Sequence, residues 1–329
     1  MKILVIHTFG LGDMIMFTPT LEKLFELYPE AEVDFVIFQE AASFPIEKAD
    51  QINRIYRSSY RIRDLLSILI KLRVQKYDIS LVTSGTSAYK AGIFSFLIGA
   101  KERIGEYKSW VESLFYTKAI KYIENIHRVE NNYKLLCDEE VKHRVKIYGI
   151  KKAQRVDKKI RVGIHPGSNP LFKKKRWAKE NYVTFINLMQ QEYFNIEFYI
   201  FSGPSELIEG EYIVQNSSNT LLIEDKSLRE VTSLIWSCDI FINSDSGLGH
   251  IAACNEDCEI FTIFGPAKDY KVKPYSKKTQ VVKLGLDCQP CYGTDRLKKC
   301  YDIACLNKLS AQNLFSTLKK YSKVLNNVS

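Results

Sequence analysis

The segment at residues 10–13 places two glycines beside an acid, a combination that could serve a reaction. Gly10, Gly12 and Asp13 follow a short apolar run and precede a helical pattern of apolar residues. A dinucleotide-binding loop needs a third glycine where this chain has Ile15, and the spacing is not that of a Walker loop. Two interpretations remain. Asp13 caps the helix that follows, or the glycines let a substrate approach the backbone while Asp13 accepts a proton from an attacking hydroxyl.

A second loop has the composition of an anion site. Residues 165–168 read His-Pro-Gly-Ser after an apolar run, and a basic run occupies residues 173–176. Backbone N–H groups, the Ser168 hydroxyl and the adjacent positive charge suit a phosphate or a pyrophosphate. A solvated charged loop is the alternative. We expect Trp177, just beyond the basic run, to pack in the core.

Two further loops carry polar groups directly after predicted strands. Glu206 follows the turn at residues 202–204, where it could bind ribose or sugar hydroxyls or simply begin a helix. The other loop supplies a carboxylate, a hydroxyl, a glycine and an imidazole within a few residues. Backbone donors there could hold an anion while the carboxylate accepts hydroxyls, whereas helix caps and a buried histidine are the structural alternative. Its members are Asp245, Ser246, Gly247 and His250.

Four cysteines near the carboxyl end have the spacing of a tetrathiolate metal site. The segment at residues 288–305 reads C-x2-C-x8-C-x4-C and is surrounded by lysines, which favour thiolates. A metal held by four thiolates would be structural rather than catalytic. Reduced thiols or a redox disulfide are the alternatives. The four are Cys288, Cys291, Cys300 and Cys305.

The elements that must position these loops alternate between strands and helices. This alternation predicts parallel βαβ units, and ligands bind outside the carboxyl ends of such strands. A polar, charged stretch at residues 138–160 interrupts the pattern, which then restarts. We therefore predict two doubly wound α/β domains, residues 1–155 and residues 156–329, the second ending in a helix. Ser227 and Glu230 form a capping-box pattern at the start of one predicted helix.

Length and charge narrow the classes of function. The chain has 329 residues, 47 Lys and Arg against 38 Asp and Glu, and 46% hydrophobic residues, which excludes disordered and fibrous proteins. The resulting charge of +9 is spread over both halves and indicates an anionic partner. Aromatic and basic residues are not interleaved, so we expect no nucleic acid. No apolar run is long enough for a signal peptide or a membrane span, which predicts a cytoplasmic protein or one peripheral to the cytoplasmic face of a membrane.

Taken together, the four loops resemble those of glycosyltransferase family 9, the ADP-heptose:lipopolysaccharide heptosyltransferases. The shared pieces are Gly-Leu-Gly-Asp, His-Pro-Gly-Ser, Lys-Arg-Trp, Ser-Gly-Pro-x-Glu and Asp-Ser-Gly-x-x-His-x-Ala-Ala, which span nearly the whole chain. The resemblance implies a GT-B fold, with two Rossmann-like domains facing each other across a cleft. It also implies an inverting sugar transfer that needs no catalytic metal or other cofactor, from a nucleotide-diphosphate sugar to a lipopolysaccharide core or a related cell-surface glycan.

The resemblance also implies roles for individual residues. Asp13 would be the general base, and Lys175, with Ser168, would neutralise the pyrophosphate of the donor. The family has a proline where this chain has Ala178, so the alignment of the basic run with the family motif is open. It also allows Lys173 or Lys174 in the role given to Lys175. The remaining donor contacts would be Glu206, Asp245, Ser246, Gly247 and His250.

Several alternatives follow from the same resemblance. The donor could be ADP-heptose or could carry a hexose or an N-acetylhexosamine, and the acceptor would be an anionic glycolipid. A non-catalytic nucleotide-sugar-binding protein is the candidate from another class. Some related enzymes hold iron in a four-cysteine finger, so iron joins zinc as the metal that the cysteine segment would take.

Overall fold

Residues 1–155, 157–168 and 174–327, which the computed structural model describes, belong to two units, Met1–Gly149 and Ile150–Ser329. The predicted boundary at residue 155 lies slightly beyond the division of the structure. The reason is visible in the contacts of the intervening residues. The Ala153 N–H donates to the carbonyl of Ser233 at 3.2 Å, and Arg155 donates to Asp239 at 2.8 Å. These bonds attach the connecting segment to the second unit.

The first unit is a parallel six-stranded sheet with helices on both faces. Its strand order, β3-β2-β1-β4-β5-β6, is that of a doubly wound fold. Its elements are β1 (Lys2–His7), α1 (Leu11–Leu27), β2 (Glu32–Ile37), β3 (Ile52–Arg57), α2 (Ile62–Val74), β4 (Ile79–Val82), α3 (Ala88–Ile98), β5 (Glu102–Tyr107), α4 (Trp110–Ser113), β6 (Lys118–Lys121) and α5 (Arg128–Lys134).

Helix α1 is continuous although Pro19 lies inside it, beyond the first turn in which proline is easily accommodated. Proline has no N–H to donate to the carbonyl of Ile15. The Thr18 hydroxyl donates to that carbonyl instead, at 2.7 Å. The side chain thereby replaces the missing backbone bond, and the helix keeps its core-facing residues in register.

The second unit repeats the architecture. Its strands are parallel in the order β12-β11-β10-β7-β8-β9. Its elements are β7 (Ile160–His165), α6 (Lys179–Glu192), β8 (Ile196–Phe201), α7 (Leu207–Gln215), β9 (Thr220–Ile223), α8 (Leu228–Trp236), β10 (Ile240–Ser244), α9 (Gly247–Ala253), β11 (Glu259–Ile263), α10 (Asp269–Val272), β12 (Thr279–Val282), α11 (Asp295–Lys298), α12 (Ala304–Asn307), α13 (Ala311–Tyr321) and α14 (Lys323–Asn326).

Each unit has its own hydrophobic core. In the first, α1 and α5 pack on one face of the sheet, and α2 and α3 pack on the other. In the second, α13 packs against α6 and buries Leu314 and Leu318. Among the described residues no helix is both long enough and apolar enough to cross a membrane.

The order of the strands determines where ligands can bind. In each sheet the direction of winding reverses between two central strands, β1 and β4 in the first unit and β7 and β10 in the second. A crevice opens beyond the carboxyl ends of strands at such a reversal, and doubly wound proteins bind ligands there. The loops after β1, β7 and β10 contain most of the residues that the sequence predicts to be functional.

Candidate functional site

At the reversal of the first sheet, a buried imidazole links the ends of β1 and β4. His7 Nδ1 lies 3.0 Å from Thr83 Oγ1, and both side chains are buried. Burial lowers the pKa of His7 to about 4, although the nearby Asp13 carboxylate opposes this change. The imidazole is therefore neutral at pH 7 and serves as a fixed link between the two loops.

Asp13 lies in the first turn of α1 and forms an ion pair with Arg128 at the start of α5. Gly10 is the N-cap of α1, Gly12 lies in its first turn, and no side chain caps the helix. The capping interpretation of Asp13 is therefore not what the structure shows. The Asp13 carboxylate remains about one-quarter exposed. The Arg128 guanidinium also lies 5.2 Å from the centre of the Phe9 ring.

The loop after β4 packs against the Arg128 guanidinium. Gly85 has a φ of +83°, and a Cβ added there would lie 3.1 Å from the guanidinium carbon of Arg128. Its N–H donates to Glu106 Oε2 at 3.1 Å, while the Ser84 N–H donates to the Asn132 side chain at 2.7 Å. Burial raises the pKa of Glu106, and Arg128 is among the neighbours that oppose this effect. Arg128 thus lies against a glycine, is paired with Asp13, and is close enough to Glu106 to influence the pKa of that carboxyl group.

At the reversal of the second sheet, Lys175 meets the loop after β10. Its Nζ donates to Asp245 at 2.6 Å and lies 4.2 Å from the centre of the Tyr292 ring. The Lys174 side chain extends towards a different segment, where its Nζ donates to the carbonyls of Leu297 and Cys300. Lys173 lies outside the described residues. Between the two described lysines, Lys175 is the one that reaches the predicted donor loop.

Ser246, His165 and Glu206 form a hydrogen-bonded chain. His165 Nδ1 lies 3.0 Å from Ser246 Oγ, and His165 Nε2 lies 3.0 Å from Glu206 Oε1. Burial tends to raise the pKa of Glu206, but bonds from His165, Ser205 and the Gly203 N–H outweigh it and lower the pKa to about 2. Glu206 is therefore a carboxylate that only accepts hydrogen bonds. His165 Nε2 must carry a proton, so in the neutral imidazole Nδ1 accepts the hydroxyl proton of Ser246.

Arg176 connects this chain to the loop after β7. Its guanidinium donates to Glu209 at 2.9 Å and to the carbonyl of Ser168 at 3.2 Å, and it lies 3.5 Å from Glu206. Ser168 is buried. Trp177, next along the chain, packs in the core as expected, and its indole N–H donates to the carbonyl of Leu309 at 2.7 Å. The ionic contacts hold the Ser168 end of the loop against the start of α7.

The remaining predicted donor residues lie in α9. Ser246 is its N-cap, Gly247 its first residue, and His250 is buried within it. A Cβ added to Gly249 would lie 2.3 Å from the Asn243 side-chain nitrogen, so the helix start packs against β10 through glycine. This close packing fixes the backbone of the loop that presents Asp245.

The four predicted cysteine ligands are only partly buried. Cys291 and Cys305 are buried, whereas Cys288 and Cys300 are intermediate in exposure. Burial, together with the charges of the three other thiols, raises the pKa of Cys305 to about 11, which places the four thiols in one neighbourhood. Even so, no group of three or more His, Cys, Asp or Glu side chains within residues 1–155, 157–168 and 174–327 is arranged to hold a metal ion. The thiols therefore form a cluster without the geometry of a metal site.

Sequence reasoning missed the surroundings of Asp13. Arg128, Gly85, Glu106 and His7 are brought together by the sheet from distant parts of the chain. His127 and Glu130 form a capping box that makes Arg128 the first residue of α5, but this box has a histidine where the sequence pattern requires serine or threonine. The sequence pattern therefore did not mark the guanidinium or its partner.

Comparison with known proteins identifies the family and the fold of the chain. The family model for glycosyltransferase family 9 (heptosyltransferase) matches residues 65–302. Lipopolysaccharide heptosyltransferase 3 of Escherichia coli is 24% identical over 80% of this chain and 84% of its own length. Lipooligosaccharide heptosyltransferase 2 of Campylobacter jejuni is 25% identical over 88% of this chain and 89% of its own length.

A solved structure has the same fold. The structure of E. coli ADP-heptose lipopolysaccharide heptosyltransferase II superposes with a TM-score of 0.74 and 18% identity, and all of both chains is covered. Two parallel six-stranded sheets with alternating helices are thus a GT-B architecture, as the sequence predicted.

Proposed function

Because the chain belongs to glycosyltransferase family 9, the heptosyltransferase family, we propose that it transfers heptose from ADP-heptose to a lipopolysaccharide core or a related surface glycan. The observation that carries this proposal is the placement of Asp13 at the strand reversal of its sheet. Its carboxylate is ion-paired but not used as a helix cap, and it stays partly exposed. A carboxylate so placed can accept a proton from an acceptor hydroxyl.

We propose a single displacement with inversion at the anomeric carbon. The acceptor oxygen attacks that carbon as its proton passes to Asp13, and the bond from the carbon to the diphosphate oxygen breaks. Arg128 holds the Asp13 carboxylate in place through an ion pair. Neither step calls on a metal or a cofactor.

The donor diphosphate would bind in the second unit. Lys175 supplies a positive charge that is now paired with Asp245. A diphosphate would compete for this ammonium and accept hydrogen bonds from the Ser168 and Gly247 loops, which stabilises the charge developing on the leaving group. Asp245 would then be available for sugar hydroxyls, and His250 would support the same loop.

Glu206 has a more restricted role in this proposal. It already accepts hydrogen bonds from His165, Ser205 and the Gly203 N–H and contacts Arg176. Any ribose or sugar hydroxyl would add to these partners. The effect of Glu206 on the donor would therefore pass largely through His165 to Ser246.

The acceptor would be an anionic glycolipid, with the protein on the cytoplasmic side of the membrane that carries it. The basic excess of the chain and the names of its relatives support this assignment. A hexose or N-acetylhexosamine donor is the alternative within the family. The placement of Asp13, Lys175 and the Asp245 loop at two strand reversals favours an enzyme over a non-catalytic nucleotide-sugar-binding protein.

The cysteine cluster does not support a metal in this structure. Zinc or iron would need four thiolates in tetrahedral arrangement, which the described part of the chain does not provide. The predicted structural zinc or iron therefore stays a prediction, and elemental analysis of the purified protein would measure its content. No step of the reaction depends on it.

The substitution Asp13→Asn tests the proposed reaction. We expect transfer to fall by about 10²–10⁴-fold, the usual contribution of a general base, while the donor binds as before. ADP release and calorimetric donor binding measure the two effects. Asp138→Asn is the control, because that carboxylate is 90% exposed and pairs with Lys134 on the surface. An Asp13→Asn protein that transfers sugar at more than about a tenth of the normal rate would contradict the assignment.

A further inference from the structure

An apolar stripe lies exposed along the outer side of α2. The opposite side of the helix carries Ile68 and Leu72, which are buried in the core of the first unit. A helix that is apolar on two sides is typical of one that is covered on both. The stripe consists of four side chains, spaced four residues apart and between 55% and 76% exposed: Ile62, Leu66, Ile70 and Val74.

The neighbouring helices extend this apolar character. Helix α3 packs beside α2, and Arg73 on α2 donates to the carbonyl of Leu97 on α3 at 2.5 Å. Helix α4 packs in turn beside α3. Exposed apolar surface that spans several elements marks an interaction site. The exposed side chains of α3 and α4 are Phe96, Leu97, Trp110, Val111 and Leu114.

Basic residues are interspersed with the stripe. Asp64 is the single acid in α2, and it accepts a hydrogen bond from Ser59. Long basic side chains next to an apolar stripe suit the boundary between lipid headgroups and acyl chains, where anionic phosphates meet the charges. The basic residues of α2 and its N-cap are Arg61, Arg63, Lys71 and Arg73.

A shallow groove beside the stripe has the same mixed chemistry. It has a volume of about 420 Å³ and lies between β3 and the end of α2. Ile70 and Val74 contribute apolar walls, and Arg54 and Lys71 contribute positive charge. A phospholipid offers methylene groups and a phosphate in the same arrangement.

We propose that this surface, the α2 face (Ile62, Leu66, Ile70 and Val74 with Arg61, Arg63, Lys71 and Arg73), docks on a bilayer that contains anionic phospholipid. Charge favours this partner over a second copy of the chain, because two α2 faces in contact would oppose like charges. The proposal does not depend on which sugar is transferred. It adds a membrane-binding surface to the unit that carries Asp13.

Vesicle flotation tests the proposal with the full chain and no sugar acceptor. Vesicles of phosphatidylcholine alone are compared with vesicles containing about one-third phosphatidylglycerol. We expect binding to be at least about tenfold stronger with phosphatidylglycerol and to weaken with salt. The double variant Leu66→Ser/Ile70→Ser should lower it by at least about tenfold. The matched control is Phe194→Ser/Ile208→Ser, whose side chains are 91% and 73% exposed in the second unit and should leave binding unchanged.

A second double variant separates the contribution of the basic residues to vesicle binding from that of the apolar stripe. Each basic residue near an anionic surface contributes about 1 kcal/mol, which is about fivefold in affinity. Arg63→Gln/Lys71→Gln should therefore weaken binding to phosphatidylglycerol vesicles by about 25-fold and reduce its dependence on salt. Both Arg63→Gln/Lys71→Gln and Leu66→Ser/Ile70→Ser should keep the thermal unfolding temperature of the natural chain, since the four substituted side chains are exposed.

A fluorescence reporter keeps the test independent of folding in the serine variants. Leu66→Trp should shift its emission to shorter wavelength when phosphatidylglycerol vesicles are added. Two outcomes would overturn the proposal. One is equal vesicle binding by the natural chain and Leu66→Ser/Ile70→Ser. The other is a natural chain that is dimeric and becomes monomeric in that variant, since the α2 face would then be a self-association surface. Failure to detect sugar transfer would bear on the proposed function alone.

Discussion

At the scale of single residues, Arg128 illustrates how the first unit positions Asp13, the proposed general base. The guanidinium pairs with Asp13, stacks near Phe9 and lies against Gly85, where any side chain would crowd it. Glu106 sits on the other side of the same loop and fixes the Gly85 N–H. The position of Asp13 therefore depends on groups from several distant parts of the chain.

Arg128→Ala should lower kcat for transfer by about 10-fold or more while the affinity for the donor stays unchanged, because the proposed donor contacts all belong to the second unit. Arg128→Lys should restore part of the rate, since it keeps the charge but loses the planar geometry of the guanidinium. Added guanidinium ion should also rescue Arg128→Ala in part. Steady-state kinetics with both substrates measures these effects.

Lys134→Ala serves as the control for Arg128→Ala. It removes a surface ion pair with Asp138 from the same helix, and exposed pairs contribute little to stability. A merely structural role for Arg128 would show as a lower unfolding temperature with no rescue by guanidinium, and that result would contradict the positioning role.

His7 predicts a pH dependence of stability in the first unit. Its pKa is about 4 in the folded chain and about 6.5 in the unfolded chain, so the unfolded chain binds the extra proton first as the pH falls. The stability linked to His7 is fully present above pH 6.5 and is lost as the pH falls towards 4. The loss amounts to about 3 kcal/mol in the free energy of unfolding.

Urea unfolding between pH 7 and pH 4 measures this loss, with His7→Asn as the comparison. Asparagine does not titrate, so the difference in unfolding free energy between the two proteins should shrink as the pH falls. Other acid-sensitive groups are common to both proteins and cancel in the difference. A difference that stays constant over this range would show that His7 does not carry the effect.

At the scale of elements, the sequence predicts the second unit's loops better than the environment of Asp13. The loops that hold Ser168, Glu206 and Asp245 each follow a strand with strong apolar character, so their location at a sheet edge can be predicted from the chain alone. Arg128 and Asp13 are 115 residues apart in sequence, and only the strand order brings them together. The four-cysteine spacing marked a cluster, but spacing does not determine the tetrahedral geometry that a metal needs.

Helix α8 offers a direct test of a capping prediction. The Glu230 N–H donates a hydrogen bond to the Ser227 hydroxyl oxygen at 3.3 Å, and the Ser227 N–H donates to Glu230 Oε2 at 2.9 Å, as the capping-box pattern predicts. Ser227→Ala should lower the free energy of unfolding by about 1 kcal/mol. Ser227→Asp is the matched control and should cost almost nothing, because aspartate is an equally good cap. Equal losses in both variants would contradict the capping role. Urea unfolding measures both.

At the scale of the whole molecule, the two units are separate in their cores and in their proposed tasks. The cores of the first unit contain no residue of the second, and the reverse also holds among the described residues. Asp13 belongs to the first unit, and all the proposed donor contacts belong to the second. The net charge of +9 is likewise shared between units that would meet different anions, a diphosphate and a glycolipid.

This separation predicts how the donor changes thermal unfolding. A ligand at 100 times its dissociation constant stabilises the unit that binds it by about 2.7 kcal/mol. Scanning calorimetry should show two transitions, and ADP-heptose should raise only the one that belongs to the second unit, by several degrees. UDP-, GDP- and dTDP-sugars should raise it less.

Core variants assign the two transitions. Phe35→Leu, buried in the first unit, and Phe198→Leu, buried in the second, should each lower one transition, because each leaves a cavity in one core. ADP-heptose should then raise the transition that Phe198→Leu lowers and leave the other in place. An equal rise in both transitions would mean that the donor contacts both units, and the assignment of donor binding to the second unit alone would fail. A larger rise with a UDP- or GDP-sugar would instead replace ADP-heptose as the donor while keeping the site.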